Sequence, residues 1–392
     1  MQFWTILLKD SNMKQTQAKE TLDRWLHMLI SINGADLHVK TNSPLHARLK
    51  SDIVKLSEEV ASGELMEALV AFLTGESYES FLLEGEYDGA YALSENHRFR
   101  FNIYLHVKGI SIAFRLVPDR VYTFEELQLP SALNKLSDLR RGLVLITGAT
   151  GSGKTTTLSA IIEDINKKHS RHIITIEDPV EYVFRDKNSI IEQRELGSHT
   201  KSFSAALRSA MREDPDIIVV GEVRDVATAE AIIHAVNTGH LVFSTMHTTD
   251  VKETIESIIG FFPANEQNRV RLILSSTLEA TISQRLIEGV DEEMVPAVEM
   301  MFKSPLIQEL IRNRRDIEIA DIVKKETISY QSVSFNRALF ELTLNGKITE
   351  AQAYQYATSP ADLRLMFTLS ADYEAKKLAD EEDLQLKEHP RP

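Results

Sequence analysis

The sequence predicts an α/β fold built on a parallel sheet, preceded by a smaller α+β domain. Three observations carry this expectation. Four apolar runs of strand length, "GLVLITG" (142–148), "HIITIED" (172–178), "DIIVVGE" (216–222) and "HLVFSTMH" (240–247), alternate with stretches of helical period. That is the pattern of parallel strands joined by crossover helices. The first run ends in the glycine-rich "GATGSGKT", residues 148–155, and a helical stretch leaves from it. Before residue 118 the texture is different, with helical periods and short β-rich runs in turn.

The elements follow in chain order. Residues 14–32 have helical spacing, with apolar Leu22, Trp25, Leu26, Leu29 and Ile30. Residues 34–56 read as short strands broken by a turn at Asn42–Pro44, and 63–73 as a helix. Residues 97–118 form a hairpin candidate about Lys108–Gly109, in which Phe99, Phe101, Ile103 and Leu105 alternate with polar neighbours. Residues 1–118 are thus expected to form the α+β domain. Residues 119–133, bracketed by Pro118 and Pro130, read as a linker, and 134–370 as the α/β domain. From Asn265 onward the period is mostly helical. Residues 371–392 are charged and poor in apolar side chains, an acidic, solvated tail.

Composition narrows the classes. The 392 residues carry a net charge of -14 and no cysteine. Disulfides, thiolate zinc sites and thiol nucleophiles are excluded, and the cytosol is a compatible compartment. No apolar run approaches the roughly 18–20 residues that cross a bilayer. The opening "MQFWTILLKD" lacks a basic n-region and is too short for a signal peptide, so it reads as an amphipathic segment or a ragged start. The acidic balance speaks against nucleic acid as a partner.

Residues Gly148, Ala149, Thr150, Gly151, Ser152, Gly153, Lys154 and Thr155 match G-x-x-x-x-G-K-[ST] between a strand and a helix. The glycines permit turns that aim backbone N–H groups inward, and the helix N-terminus adds partial positive charge for phosphates. Lys154 is expected to reach the β- and γ-phosphates and Thr155 to offer its hydroxyl to Mg²⁺, with Thr156 next on the helix. Such a site needs carboxylates across from it, at the C-terminal ends of neighbouring strands. "ITIEDPVEY" places Glu177, Asp178 and Glu181 after one run, and "DIIVVGEVRD" places Glu222 after another. Glu222 is the candidate for metal and water. Either Glu177 or Glu181 could orient the water. Helix capping by Asp178 and an ion pair from Glu222 to Arg224 are the structural alternatives.

His240 and His247 frame the fourth run. On a strand, seven steps of about 3.3 Å separate them by about 23 Å and point them to opposite faces, so they cannot share a metal. His247, at the C-terminal end, is the candidate γ-phosphate sensor.

Together these motifs resemble those of the secretion and type IV pilus motor ATPases, and most of all their twitching-motility retraction branch. "GATGSGKTTT" looks like the Walker A segment, "TIEDPVEY" like the Asp box, "REDPDIIVVGEVRD" like the Walker B segment and "TGHLVFSTMHT" like the His box. "FFPANEQNRVR", "ISQRLI" and "LIQELIRNRR" also fit, and the likeness runs from about residue 34 to 357. The resemblance implies a PAS-like N-terminal domain, a RecA-like ATPase domain, ATP bound between them, and a homohexameric ring. It also implies a cytoplasmic motor at the base of the pilus machine, acting on an inner-membrane platform protein, and leaves open a second retraction ATPase as partner. It assigns Arg98, Arg100 and Arg115, in "RFRFN" and "AFRLVP", to the phosphates, and it marks His240 as important, for which a hinge or subunit-contact role is expected at the strand end away from the nucleotide, the alternative being a surface histidine. The chain departs from the family at Ala149, where Pro is commoner. "VFRD" follows "EDPVEY" where many relatives have a His, and Asn336 stands where Asp is usual. Assembly and secretion ATPases resemble the chain too, but commonly carry a four-cysteine zinc subdomain and a longer N-terminal region. A nucleotide-binding accessory paralogue and, more distantly, a DNA-transfer ATPase are the other readings.

Overall fold

The computed structural model describes residues 2–49, 52–94, 97–118, 120–325, 330–370 and 373. It divides into two compact units: Met1–Arg120 with Glu181–Val183, and Val121–Val180 with Phe184–Pro392.

The first unit is one antiparallel sheet covered by helices. α1 (Gln2–Ser31) precedes β1 (Asp36–Lys40), β2 (Pro44–Leu49) and β3 (Asp52–Val60). α2 (Gly63–Thr74), α3 (Tyr78–Glu84), β4 (Glu86–Ala92), β5 (Arg98–His106) and β6 (Gly109–Val117) follow, and the strands order as β3-β2-β1-β6-β5-β4. The predicted helix spacing is the buried face of α1: Leu22, Trp25, Leu26 and Leu29 are all fully buried. The predicted hairpin is β5–β6, with Phe101 opposite Phe114 and Ile103 opposite Ile112 in the same core. Leu105 breaks the pattern. It stands by the turn, beyond the core, and is 49% exposed.

The second unit is a seven-stranded sheet of order β13-β12-β7-β11-β10-β8-β9. β7 (Gly142–Thr147), β8 (His172–Glu177), β10 (Ile217–Val220) and β11 (Leu241–Met246) are the four predicted runs, parallel to one another. α4 (Asn134–Ser137) and α5 (Lys154–Lys168) lie on one face. α6 (Phe203–Ala210), α7 (Val226–Asn237), α8 (Val251–Gly260) and α9 (Gln267–Thr277) lie on the other. Apolar side chains of each strand feed both faces. Leu143 and Val220 join one core and Val144 and Val219 the other, which is why the runs lack a strand's alternation.

Two expectations are corrected. The stretch after Asn265 is not mostly helical. α9 ends at Thr277, and the next residues are β12 (Leu278–Glu288), parallel to β7, and β13 (Met294–Phe302), antiparallel to β12. β12 follows α9 with no turn residue between them, so the helical period of α9 masks the alternation of Leu278, Ala280 and Ile282 with Glu279, Thr281 and Ser283. The segment 119–133 is not a free linker, since Phe124, Leu129 and Leu133 are buried in the second unit's core. A further parallel strand, β9 (Ile190–Glu195), extends the sheet beyond β8 and was not predicted.

α10 (Pro305–Arg312), α11 (Ile319–Lys325), α12 (Phe335–Leu344), α13 (Glu350–Tyr356) and α14 (Pro360–Leu369) complete the unit. A small core of Leu339, Phe340, Leu363 and Phe367 closes on Ile287 and Ala297. The tail at 371–392 lies, apart from Tyr373, outside the described residues. Among the described residues no helix is long and apolar enough to cross a membrane.

Candidate active site

The phosphate loop joins β7 to α5. Its start is tied to the neighbouring strand by Gly148 N–H donating to the Met246 carbonyl at 3.3 Å. Gly148 and Gly153 have φ of +144° and +84°. β12 crowds both: a Cβ on Gly148 would stand 2.4 Å from the Gln284 carbonyl oxygen, and one on Gly153 2.8 Å from Gln284 Nε2. Only glycine meets both conditions. Gln284 also accepts from Thr157 Oγ1 at 2.7 Å, and Ser283 and Thr147 share a hydroxyl hydrogen bond of 2.8 Å. β12 is therefore the floor of the loop. The "ISQRLI" motif lies on this strand. Ala149, Thr150 and Gly151 form an exposed crest, Ser152 is buried, and Thr155 and Thr156 are half-buried on the first helical turn. Lys154, only 9% exposed, folds back to donate to the carbonyls of Gly148 (2.8 Å) and Ala149 (3.0 Å).

Glu222 and His247 leave adjacent strands at the same edge as this loop. Ser244 Oγ donates to Val220 O, Thr245 Oγ1 to Gly221 O and Val223 N–H to Thr245 O, which stitches the ends of β10 and β11 together. His247 Nε2 then lies 3.4 Å from Glu222 Oε2. Arg224 hydrogen-bonds both Glu222 oxygens and reaches Asp178 Oδ2 at 3.1 Å. The ion pair held open as an alternative for Glu222 is thus formed, and Asp178 joins it. Burial pushes the Glu222 carboxyl up. The Arg224 hydrogen bond and charge, helped by His247, outweigh that and hold it below the usual carboxylate range.

Glu177 closes β8, where its Oε1 accepts from Thr175 Oγ1 (2.6 Å) and Gln193 Nε2 (3.0 Å). Glu181 belongs with the first unit, 3.8 Å from Arg100. There Arg100, Arg115, Leu116 and Tyr182 help line a cavity of about 180 Å³. Arg100 and Arg115 face each other across β5–β6. Arg115 is anchored through Nε (2.7 Å) and Nη2 (3.3 Å) to the buried carboxylate of Asp36, whose hydrogen bond raises the pKa of the guanidinium. Arg98 stands two residues before Arg100 on β5, opposite Val117. His240 lies just before β11, at the opposite end of that strand from His247. Its Nδ1 is 3.1 Å from the Ala235 carbonyl and 3.0 Å from Thr238 Oγ1, at the end of α7. The structure thus gathers Glu222, Asp178, Arg224 and His247 into one cluster and sets His240 apart.

Comparison with known proteins agrees with this geometry. The profile described as type II/IV secretion system protein matches residues 92–336. The chain belongs to this family. Within it, the chain is 37% identical over 331 residues to the type IV pilus retraction ATPase PilT of Pseudomonas aeruginosa, spanning 83% of this chain and 95% of that protein. It is 33% identical over 359 residues to the type IV pilus ATPase PilU of the same organism, spanning 91% and 94%. The crystal structure of the pilus retraction motor PilT with bound ADP superposes with a TM-score of 0.80 at 36% identity, covering 86% of this chain and 97% of that one. The chain is an ATPase of this family, and the likeness to an ADP-bound structure supports nucleotide binding.

Proposed function

We propose that this protein is an ATP-driven motor of type IV pilus retraction, supporting twitching motility. The observation that carries the reading is the Glu222–His247 contact of 3.4 Å beside an intact phosphate loop. An acid and an imidazole this close together support a role in hydrolysis.

The loop amides and Lys154 bind the β- and γ-phosphates, with Lys154 exchanging its loop carbonyls for phosphate oxygens. The hydroxyl of Thr155 and the carboxylate of Glu222 are hard oxygen donors that suit Mg²⁺. Bound there, the ion supplies charge neutralisation across the phosphates. Glu177 or Glu181 orients the attacking water. His247 senses the γ-phosphate, and Arg100 and Arg115 offer guanidinium charge to the transferring group. The working form is a homohexamer at the cytoplasmic face of the inner membrane, acting on the pilus platform protein, with a second retraction ATPase as partner where the cell has one. Likeness to PilT and PilU over nearly their whole lengths supports retraction over assembly.

The enzymatic half is tested by steady-state ATPase activity: Glu222→Ala should lower turnover by roughly a hundredfold or more while the protein stays folded. Full turnover in that variant would sink the assignment. The direction of the motor needs cells. A deletion strain should keep its filaments and lose twitching, whereas loss of filaments would point to assembly.

A further inference from the structure

The edge strand β9 contributes two polar side chains to the loop that follows β8. Gln193 and Glu195 are two residues apart, so they share a face of the strand. Gln193 bridges two parts of that loop: Oε1 accepts the Phe184 N–H at 2.8 Å and Nε2 donates to Glu177 Oε1 at 3.0 Å. Glu195, 3% exposed, accepts the Val180 N–H through Oε2 at 3.1 Å and the Ser198 hydroxyl through Oε1 at 3.2 Å. Leu196 N–H adds a bond to the Glu177 carbonyl at 2.9 Å. The loop is therefore gripped at the Glu177 carboxylate and at the amides of residues 180 and 184, which bracket Glu181 in sequence. An amide donor to Oε1, with Thr175 as the second, holds Glu177 in one orientation. A buried carboxylate on the Val180 N–H is a charge-assisted bond, stronger than a neutral one.

We propose that Gln193 and Glu195 are positioning residues, fixing the Glu177 carboxylate and the loop backbone at Val180 and Phe184 for turnover. This rests on the ATPase reading above. β9 has the job because it is the neighbour of β8 and its register sets Gln193 beside Thr175 and Glu195 beside Glu177, level with the end of β8.

The test uses the full-length protein, with steady-state ATPase, binding of a fluorescent ADP analogue and thermal unfolding measured together. Gln193→Met keeps the length and removes both bonds. It should lower kcat about tenfold or more, with KM and ADP affinity within about twofold of wild type. Combined with Glu177→Gln, it should cost no more than about a further twofold, because the two act as one unit. Glu195→Leu should show the same kcat loss, and Glu195→Gln, which retains an acceptor for Val180, should recover most of it. Recovery by the conservative variant keeps the test valid if Glu195→Leu folds poorly. A folded Gln193→Met protein with wild-type kcat overturns the inference while leaving the ATPase reading intact. So does a joint fall of kcat, ADP affinity and thermal stability, the mark of general loosening. A wild-type protein that binds ADP and hydrolyses no ATP overturns the ATPase reading, and this inference with it.

Discussion

At Asn336 a single side chain holds the turn between α13 and α14. Its Oδ1 accepts from the N–H groups of Thr358 (3.0 Å) and Ser359 (3.3 Å), and its Nδ2 donates to the Ser359 carbonyl at 2.7 Å. The residue is buried. An aspartate at this place could make the first two bonds but would set a carboxylate oxygen against that carbonyl. Asn336→Asp should therefore destabilise this chain by about 1–3 kcal/mol, seen as a fall in thermal midpoint. An unchanged midpoint would mean that the turn relaxes around the acid. The same scale shows what spacing leaves undecided at Glu222. A carboxylate at a strand end beside "VRD" could face a metal or an arginine. Here it is held by Arg224 and touched by His247 as well, and only the stitching of β10 to β11 brings that histidine near.

Among the elements, the legible ones had an unbroken pattern with clear bounds: the four apolar runs of β7, β8, β10 and β11, and the one-faced α1 and β5. The buried stripe of α1 and the inward side chains of β5 have the periods their patterns predict. β12 and β9 were less legible. β12 does alternate, with Leu278, Ala280, Ile282 and Leu286 at a strand's spacing, but it follows α9 with no turn residue between them, so the helical period of α9 runs on into it. β9 is a polar edge strand, and only its place beside β8 makes it a strand at all. α1 offers a measurable link between element and stability. Arg24 makes a bidentate pair with Glu59 on β3, at 2.6 and 2.8 Å. The Arg24 hydrogen bond holds the Glu59 carboxyl below its usual range. A carboxylate whose pKa is depressed on folding contributes stability above its unfolded pKa and loses it as the pH falls through the folded value. Arg24→Met should lower the thermal midpoint at pH 7 by about 1–3 °C, as a partly exposed pair of about 0.2–1 kcal/mol would. The gap should close once the pH falls below the depressed pKa of Glu59. A gap of constant size across that range would assign the loss to the packing of the arginine stem.

For the whole molecule, each unit has its own core, which a chain of this length permits. The proposed hexamer makes a concentration-dependent expectation. ATPase rate per chain should rise with protein concentration, and light scattering should find six-chain particles in step with it. A rate per chain that stays flat in a monodisperse monomer would remove the ring from the mechanism. The sequence by itself determined the α/β class, the phosphate loop and the order of strand-end acids, because each of these is written in contiguous residues whose backbone demands are local. Tertiary structure alone decided that β12 floors the loop, that β9 holds the Glu177 loop, that residues 119–133 belong to a core, and that Glu222 meets His247. Each of those facts is a pairing between segments distant in sequence. Such a pairing depends on which strand lies beside which, and no local period encodes it.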